Sequence, residues 1–483
     1  MSTMRNLGIS MLLAAFWLCA SGSQSAAQTD TTTDVGTTFT SLFSFADTNG
    51  EAPVGALVQA TDGNFYGTTV EGGAIGDGTV FKITPSGTLT TLHSFDGTDG
   101  FSPEGALVQA TNGNFYGTTA FGGANGKGSV FEITPNGALT TLASFNGTDG
   151  EFPEAGLIQA TDGNFYGTTY RGGANKLCPP RRTLTCGTVF KITPSGTVTT
   201  LASFGEEGGS VPFSPLIQAT DGNFYGTTPS TVFKVTPSGT LTTLAIVSSS
   251  YAGLVQATDG NFYGTTEYGG NDACDGGCGT VFKVTPSGTL TTLLSFASSA
   301  NPAAALIQAT DGNLYGTTGV GGANNDCGGS APGPIGCGTV FKVTLSGTLT
   351  TLFSFDSTDG SGPEALVQAT NGEFYGITDG GGASEACNSQ GVVGCGTVFN
   401  LSLGLGPFVE THPGSGAVGV AVNILGTSLT GATSVTFNGT AARFTVASSS
   451  LITTTVPAGA TTGEVKVVTP SSTLSSNVSF QVP

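Results

Sequence analysis

The feature that most constrains this chain is a tandem repeat of three short blocks in a fixed order. The blocks are QAT[DN]G[NE][FL]YG[TI]T, then [TS]VF, then [LV]TTL, and the first block begins seven times. Its tyrosine recurs at spacings of 38 to 60 residues, at Tyr66, Tyr116, Tyr166, Tyr225, Tyr263, Tyr315 and Tyr375. All of the length variation lies between blocks, so the blocks form the core of the unit and the segments between them are loops.

Each unit has the pattern of four short antiparallel strands. The segments ALVQAT and NFYGTT flank Asp-Gly or Asn-Gly, and TVFKIT and TLTTLHSF flank Pro-Ser-Gly. Both are strong hairpin signals. A repeat of about 50 residues with four strands has the size of one propeller blade, whereas the coils of a parallel β-helix, the main alternative, do not each contain two tight hairpins. The repeat therefore predicts an all-β fold, a seven-bladed β-propeller over roughly residues 39–403.

The two ends of the repeat region predict how the ring closes. Repeat seven runs from Val398 into residues 403–406 without a fourth strand, whereas FTSLFSF at residues 39–45 precedes repeat one and matches LTTLFSF of repeat six. A closed ring hides its sheet edges, which an open stack leaves exposed. We therefore expect the N-terminal strand to form the outer strand of the last blade.

A different pattern begins after Gly406. The segments VAVNILGTSL, TSVTFNGTAARFTV, LITTTVP and GEVKVVTP alternate apolar and polar residues and are separated by Gly, Pro and Ser turns. Short strands over about 77 residues are typical of a small sandwich. Residues 407–483 are therefore predicted to form an immunoglobulin-like β-sandwich.

Both parts of the chain resemble known families. The seven units are similar to the tandem repeats of a secreted bacterial family called GloVer, whose members usually carry one of several alternative C-terminal anchors. The resemblance implies an exported bacterial protein of unassigned activity, although this chain shows no obvious sorting tail. GATSVTFNGTAARFTV followed by ITTTVPAGATTGEVKV is very similar to the IPT/TIG domain, which implies a spacer or interaction module of surface proteins.

The N-terminal segment and the charge predict location and exclude one class of partner. Arg5 precedes the apolar run 7–20, and Ser25-Ala26-Ala27 offers small residues for cleavage, so residues 1–27 have the pattern of a signal peptide followed by a flexible segment at 28–38. We expect a secreted protein, extracellular or at the cell surface, with the periplasm as an alternative, and no integral membrane span in the mature chain. With 13 basic and 32 acidic residues, nucleic acid is excluded as a partner.

The cysteines after residue 27 occur as two or none per repeat. All pairs fall between the second and third strands, and the second cysteine always directly precedes Gly-Thr. This spacing predicts four local disulfides, Cys178 with Cys186, Cys274 with Cys278, Cys327 with Cys337 and Cys387 with Cys395. Zinc is the alternative, but two pairs from different blades would have to meet to supply four thiolates.

Strand order divides the loops between two faces. The connections from strand two to three and from strand four to the next strand one emerge on one face, the variable face, and the tight turns emerge on the hairpin face. Loops that vary on a uniform scaffold are the usual place for recognition. Phe121, Tyr170 and Tyr268, which we assign to one repeat position before a Gly-Gly pair, are the candidate ligand contacts on this face.

Two acidic loops on the variable face are candidates for calcium. Asp96 and Asp99, and their counterparts Asp356 and Asp359, place two carboxylates on a short loop. The register of an EF-hand is absent, and ordinary solvated turns are the main alternative. The sequence indicates no catalytic or cofactor-binding residue, because neither histidine has a visible nucleophilic partner.

These observations favour a non-catalytic binding or scaffold protein that recognises a carbohydrate or protein partner through the variable face. One alternative is an extracellular glycan-cleaving enzyme, a hydrolase or lyase, that uses loop carboxylates near the central channel, since two carboxylates from different blades leave no sequence spacing. The other is a purely structural surface or matrix protein. The sequence predicts neither the identity of the ligand nor the oligomeric state.

Overall fold

The computed structural model describes residues 36–174, 186–205, 209–271, 274, 276–298, 300–302, 304–324, 327, 336–384, 386–389 and 392–483. Within these ranges the chain is all-β, with one 3-10 turn at Asp47–Asn49 and no α-helix. None of the described residues belongs to a helix long and apolar enough to cross a membrane.

The repeats fold into four-stranded antiparallel sheets, of which the described residues contain seven. We refer to them as blades 1 to 7 in chain order. Their strands are Val58–Gln59, Phe65–Thr69, Thr79–Ile83 and Leu89–Ser94 (blade 1); Val108–Gln109, Phe115–Thr119, Ser129–Ile133 and Leu139–Ser144 (blade 2); Ile158–Gln159, Phe165–Thr169, Thr188–Ile192 and Val198–Ser203 (blade 3); Ile217–Gln218, Phe224–Thr228, Thr231–Val235 and Leu241–Ile246 (blade 4); Val255–Gln256, Phe262–Thr266, Thr280–Val284 and Leu290–Ser295 (blade 5); Ile307–Gln308, Leu314–Thr318, Thr339–Val343 and Leu349–Ser354 (blade 6); and Ser361–Gln368, Phe374–Gly380, Thr397–Ser402 and Thr38–Ser44 (blade 7).

The FYG motif of the second strand forms the packing between blades. Both of its aromatic rings are buried, and Tyr66 stacks on Phe115 of the next blade with ring centroids 4.0 Å apart. Its glycine is required by a close approach, because a Cβ at Gly67 would lie 2.6 Å from the ring of Phe81 on the third strand. The motif therefore serves the core, as its alternation along a strand predicts.

The N-terminal strand closes blade 7. Thr38–Ser44 pairs antiparallel with Thr397–Ser402, so that the last sheet combines the two ends of the repeat region. Phe39 of this strand stacks on Phe353 of blade 6 at 4.0 Å and on Phe399 at 5.6 Å. The prediction of a propeller-like ring closed by its first strand is confirmed.

A circle of side-chain hydrogen bonds joins neighbouring blades independently of that strand. In each blade the threonine of the QAT block donates its backbone N–H to the glutamine side chain of the following blade, as Thr61 does to Gln109 at 2.9 Å. The remaining bonds run from Thr111 to Gln159, Thr161 to Gln218, Thr220 to Gln256, Thr258 to Gln308, Thr310 to Gln368 and Thr370 to Gln59. The last bond returns to blade 1, so the circle is complete.

The C-terminal residues form the predicted sandwich of two four-stranded sheets. One contains Glu410–His412, Ala421–Leu425, Phe444–Val446 and Leu451–Thr455, and the other contains Ser434–Phe437, Thr440–Ala441, Val465–Val468 and Thr473–Ser475. A further short pair, Asn388–Ser389 with Val392–Val393, lies in the loop of blade 7.

This sandwich contacts the hairpin face of the ring. Ser450 Oγ donates to the carbonyl of Thr61 at 3.0 Å, and Asn477 Nδ2 donates to the carbonyl of Gln308 at 3.0 Å. The backbone N–H of Phe408 donates to the carbonyl of Thr370 at 3.0 Å. These contacts involve the hairpin side of blades 1, 6 and 7, so the variable face is the opposite side of the ring.

Candidate functional site

The variable face carries the disulfides. Cys274–Cys278, Cys327–Cys337 and Cys387–Cys395 are bonded, each with Cα atoms 5.1 to 5.2 Å apart, which is within the ordinary range. The fourth predicted pair includes Cys178, which lies outside the described residues. Each disulfide ties the loop between the second and third strands of its own blade, as the spacing predicts.

Small residues bring the first strands together at the centre of the ring. A Cβ added to Gly105 of blade 2 would lie 2.6 Å from the backbone nitrogen of Gly156 of blade 3. A Cβ added to Gly156 would in turn lie 2.7 Å from the backbone carbonyl oxygen of Ala106 of blade 2. Because these backbones nearly touch, the centre is narrow at this level, and the loops that lead into the first strands surround its mouth on the variable face. We call this mouth the funnel.

Two carboxyl groups of adjacent blades meet in the funnel. Glu104 and Glu154 each follow the proline of the loop that leads into a first strand. Burial raises the pKa of Glu104 from its ordinary value to about 7. The pKa of Glu154 is raised well above its ordinary value, mainly by burial and further by the charge of Glu104, whereas the charge of Arg171 lowers it. The two groups are therefore close enough to interact, and they hold protons at pH values where exposed carboxyls are ionised.

Blade 7 adds a second pair. Glu364 also follows a proline, and Asp379 is the penultimate residue of the second strand, with an exposed side chain. Burial, then the charge of Asp379, raise the pKa of Glu364 to about 8. Like charges placed together ionise one at a time, so this pair also retains a proton near neutral pH.

Aromatic side chains line the other part of the funnel. Phe213, which follows the equivalent proline of blade 4, lies 4.7 Å from the ring of Tyr170 of blade 3 and 5.3 Å from the ring of Tyr251 of blade 5. Towards blade 2, Phe121 contacts Phe152 with ring centroids 5.1 Å apart. All five rings are partly buried and partly exposed. They form a chain of aromatic surface across blades 2 to 5, which we call the aromatic wall.

Arg171 lies between the aromatic wall and the carboxyl pair. Its Cζ is 4.9 Å from the ring centroid of Tyr170 and 6.0 Å from that of Phe152. Within the described part of the chain, its Nε is buried without a hydrogen-bond partner, and the same holds for Oε2 of Glu154. Buried polar atoms are normally paired, so two such atoms in one funnel mark it as a candidate binding site.

The three predicted aromatic ligand contacts do not share one repeat position in the structure. The bridges Glu51–Glu71, Phe101–Phe121 and Glu151–Arg171 show that Arg171 is the residue equivalent to Phe121. The assignment of Tyr170 to the same repeat position is therefore wrong; it lies one residue earlier, where blade 7 has Asp379. Tyr170 and Phe121 belong to the aromatic wall, and Tyr268 is half-buried in blade 5.

The calcium candidates form turns. Asp96 Oδ1 accepts hydrogen bonds from the backbone and hydroxyl of Thr98, and Asp99 Oδ1 accepts one from the backbone of Asp96. Asp356 accepts the same bonds from Thr358 and a further one from the backbone N–H of Asp359. Across the described ranges, no three His, Cys, Asp or Glu side chains are arranged to hold a metal ion. The calcium hypothesis therefore gains no support.

The sequence reasoning missed Glu104, Glu154, Glu364 and Arg171. A signal was present, since Pro-Glu recurs before the first strand of blades 2 and 3 and within that of blade 7. A functional role could not be inferred from it, because the same repeat position carries Val54, Phe213 and Tyr251 in other blades. Only the ring shows that this one position, read across blades, surrounds the funnel.

Comparisons with known proteins agree with this architecture. The model of the Gloeobacter/Verrucomicrobia repeat matches residues 18–231 and 229–442. The chain belongs to this repeat family. The IPT/TIG domain matches residues 409–482 of this family member, and no curated protein matches the sequence.

Solved structures similar to this repeat protein include two enzymes. A virginiamycin B lyase from Staphylococcus aureus is 14% identical, with 76% of this chain and 99% of that chain covered and a TM-score of 0.49. A gluconolactonase from Xanthomonas campestris is 12% identical, with 75% and 88% covered and a TM-score of 0.38. Neither similarity bears on what this chain binds or does.

Proposed function

We propose that this protein is a non-catalytic carbohydrate-binding protein of the cell exterior, and that it takes its ligand in the funnel of the variable face. The observation that carries the proposal is the aromatic wall beside polar groups that lack partners. Tyr170, Phe213 and Tyr251 present partly exposed rings from three blades. A concave site with apolar surface and a few convergent polar groups is the usual form of a small-ligand site.

The wall favours a sugar over a flat protein surface. A pyranose ring has one face of C–H groups that packs against an aromatic ring, while its hydroxyls need donors and acceptors at the edge. The funnel offers both, since the carboxyl of Glu154 interacts with Glu104 and with Arg171, which stacks on Tyr170. A protein partner usually covers a broader surface of about 800 Å², which a central funnel does not provide.

The exterior location is supported by the remaining architecture. Three described disulfides require an oxidising compartment. The IPT/TIG match suggests an interaction module, and its sandwich contacts the hairpin face. A ligand can therefore enter from the variable face while the sandwich lies on the opposite side.

A glycan-cleaving enzyme is the second candidate, and the carboxyl pairs favour it. A general acid must hold a proton at working pH, as the raised pKa of Glu104 allows, and a neighbouring carboxylate can then act as base or nucleophile. Loss of sugar release in both Glu104→Gln and Glu154→Gln would support this candidate. Binding without release of reducing ends supports the first proposal.

A glycan array followed by calorimetry tests the proposal. The mature chain should bind a restricted set of oligosaccharides, and Phe213→Ala should weaken that binding about tenfold or more, equivalent to roughly 1.4 kcal/mol. Ile246→Ala is the matched control, because Ile246 is an exposed apolar residue on the outer strand of the same blade. Equal losses in both variants, or binding to no glycan on the array, would contradict carbohydrate recognition by the funnel.

A further inference from the structure

We propose that Arg171, together with Glu154 and Glu104, forms a subsite for a carboxylate-bearing sugar, such as a uronic acid residue within an oligosaccharide. The inference rests on the proposed carbohydrate binding and adds the chemical class of the ligand. Its basis is a guanidinium that two aromatic rings contact and that has no side-chain partner among the described residues.

The two described cations of the variable face differ in their pairing. Lys127, the other described cation of the variable face, forms an ion pair with Glu151 at 2.9 Å. Arg171 makes no side-chain hydrogen bond or ion pair with any residue in the described ranges, although Glu151 and Glu154 belong to the same blade. An arginine at the funnel of so acidic a chain that has no side-chain partner among the described residues is available to an anionic ligand.

The stacking of Arg171 fixes the direction in which it can bind. The Cζ atom of Arg171 lies 4.9 Å from the ring centroid of Tyr170 and 6.0 Å from that of Phe152, so two aromatic rings restrict the position of the guanidinium. A planar guanidinium binds a carboxylate through two parallel hydrogen bonds. A pair of parallel hydrogen-bond donors of this kind distinguishes a carboxylate from a neutral hydroxyl group.

Glu154 and Glu104 complete the subsite rather than repel the ligand. Both carboxyls have a raised pKa, that of Glu104 to about 7, so near neutral pH they carry protons that can be donated to ligand oxygens. Oε2 of Glu154 is buried and has no partner, which is the state expected of a group whose partner is supplied by the ligand. The ring of Phe213, next to Tyr170, offers a surface for the adjoining sugar.

The repeat provides an internal comparison. At the position of Arg171 the other blades carry Glu71, Phe121, Tyr268, Val320 and Gly380, and blade 4 shortens the loop. Blade 3 is therefore the one blade with an arginine at this repeat position. The subsite should accordingly require one carboxylate per binding event.

Calorimetry with matched sugars tests the inference. The probes are tetramers of galacturonic acid and of guluronic acid, each compared with its methyl ester, at pH 6. We expect at least one acidic tetramer to bind about tenfold or more tightly than its ester. Arg171→Ala should abolish that preference, so that each acidic tetramer and its ester bind alike, whereas Lys127→Ala, the matched control, should preserve it.

One further variant and a folding measurement keep the outcome interpretable. Arg171→Lys retains the charge without the planar fork, so it should recover only part of the preference, and thermal unfolding checks that each variant is folded. If neither acidic tetramer binds better than its ester while other glycans bind, the subsite is wrong and the carbohydrate-binding proposal stands. If no saccharide binds, both fail. An acid preference that survives in every folded Arg171 variant also overturns the assignment.

Discussion

At the scale of single residues, the repeated tight turn shows why aspartate and asparagine interchange. Asp62 Oδ1 accepts the backbone N–H of Asn64, and its Oδ2 accepts the hydroxyl of Tyr66. Asn112 accepts the equivalent backbone bond and donates to Tyr116 Oη instead. Since the side-chain oxygen is the shared requirement, the turn does not need a charge at this position, although Asp162 and Asp221 also pair with lysines.

Glu104 provides a prediction at the same scale. Its pKa is raised from the ordinary 4.5 to about 7 in the folded chain. The folded state therefore binds the proton more tightly than the unfolded state does. This contribution to the free energy of unfolding is fully present below pH 4.5 and is lost as the pH rises towards 7. Glu104→Gln removes that loss. We expect the variant to raise the Tm by about 1–3 °C at pH 8 and to leave it unchanged at pH 4.5.

Thermal unfolding monitored by circular dichroism at both pH values measures the effect. Glu464→Gln is the control, since Glu464 has a lowered pKa and pairs with Lys466 at 3.0 Å, and it should give no gain at pH 8. A stabilisation by Glu104→Gln that is equal at the two pH values would show that the carboxyl charge is not its cause.

At the scale of elements, the first strands of blades 1 to 6 are shorter than the pattern predicts, whereas that of blade 7 has eight residues. The segment ALVQAT suggests six residues, but only Val58–Gln59 is paired in blade 1. The preceding residues bond across to the neighbouring blade instead, as when Thr118 Oγ donates to the carbonyl of Ala155 at 3.0 Å. Crowding at the centre decides this, and a pattern read along one repeat does not contain it.

The loop disulfides give a prediction for elements. Cys327 and Cys337 are ten residues apart, and Cys274 and Cys278 are four apart. Loop-closure entropy predicts that serine replacement of the first pair costs about 2.7 kcal/mol of unfolding free energy and replacement of the second about 1.9 kcal/mol. Urea unfolding should rank the two double variants in that order. Reduction of all disulfides should remove the difference between them; a reversed order would refute the entropic account for these loops.

At the scale of the whole molecule, ring closure depends on one strand that is distant in sequence. Phe39 packs against Phe353, Phe355 and Phe399, and so joins blade 6 to both ends of blade 7. Phe39→Ala should lower the unfolding free energy by about 2 kcal/mol, below the usual range for a fully buried phenylalanine because this ring is partly exposed.

The urea midpoint of the intact chain measures this loss. Thr40→Ala, at an exposed position of the same strand, is the control and should change it little. If Phe39→Ala matched that control, the circle of Thr–Gln bonds alone would hold the ring closed.

The sequence by itself determined the strands, the turns, the local disulfides and the closing strand, because each depends on residues that are neighbours in the chain or on a motif missing from one end and present at the other. It did not determine the funnel. Glu154, Phe213 and Glu364 lie in three different blades, and nothing in their spacing brings them together. Their convergence, and the unpaired state of Arg171 among them, follow from the circular arrangement of the blades, since burial and charge depend on distance in space.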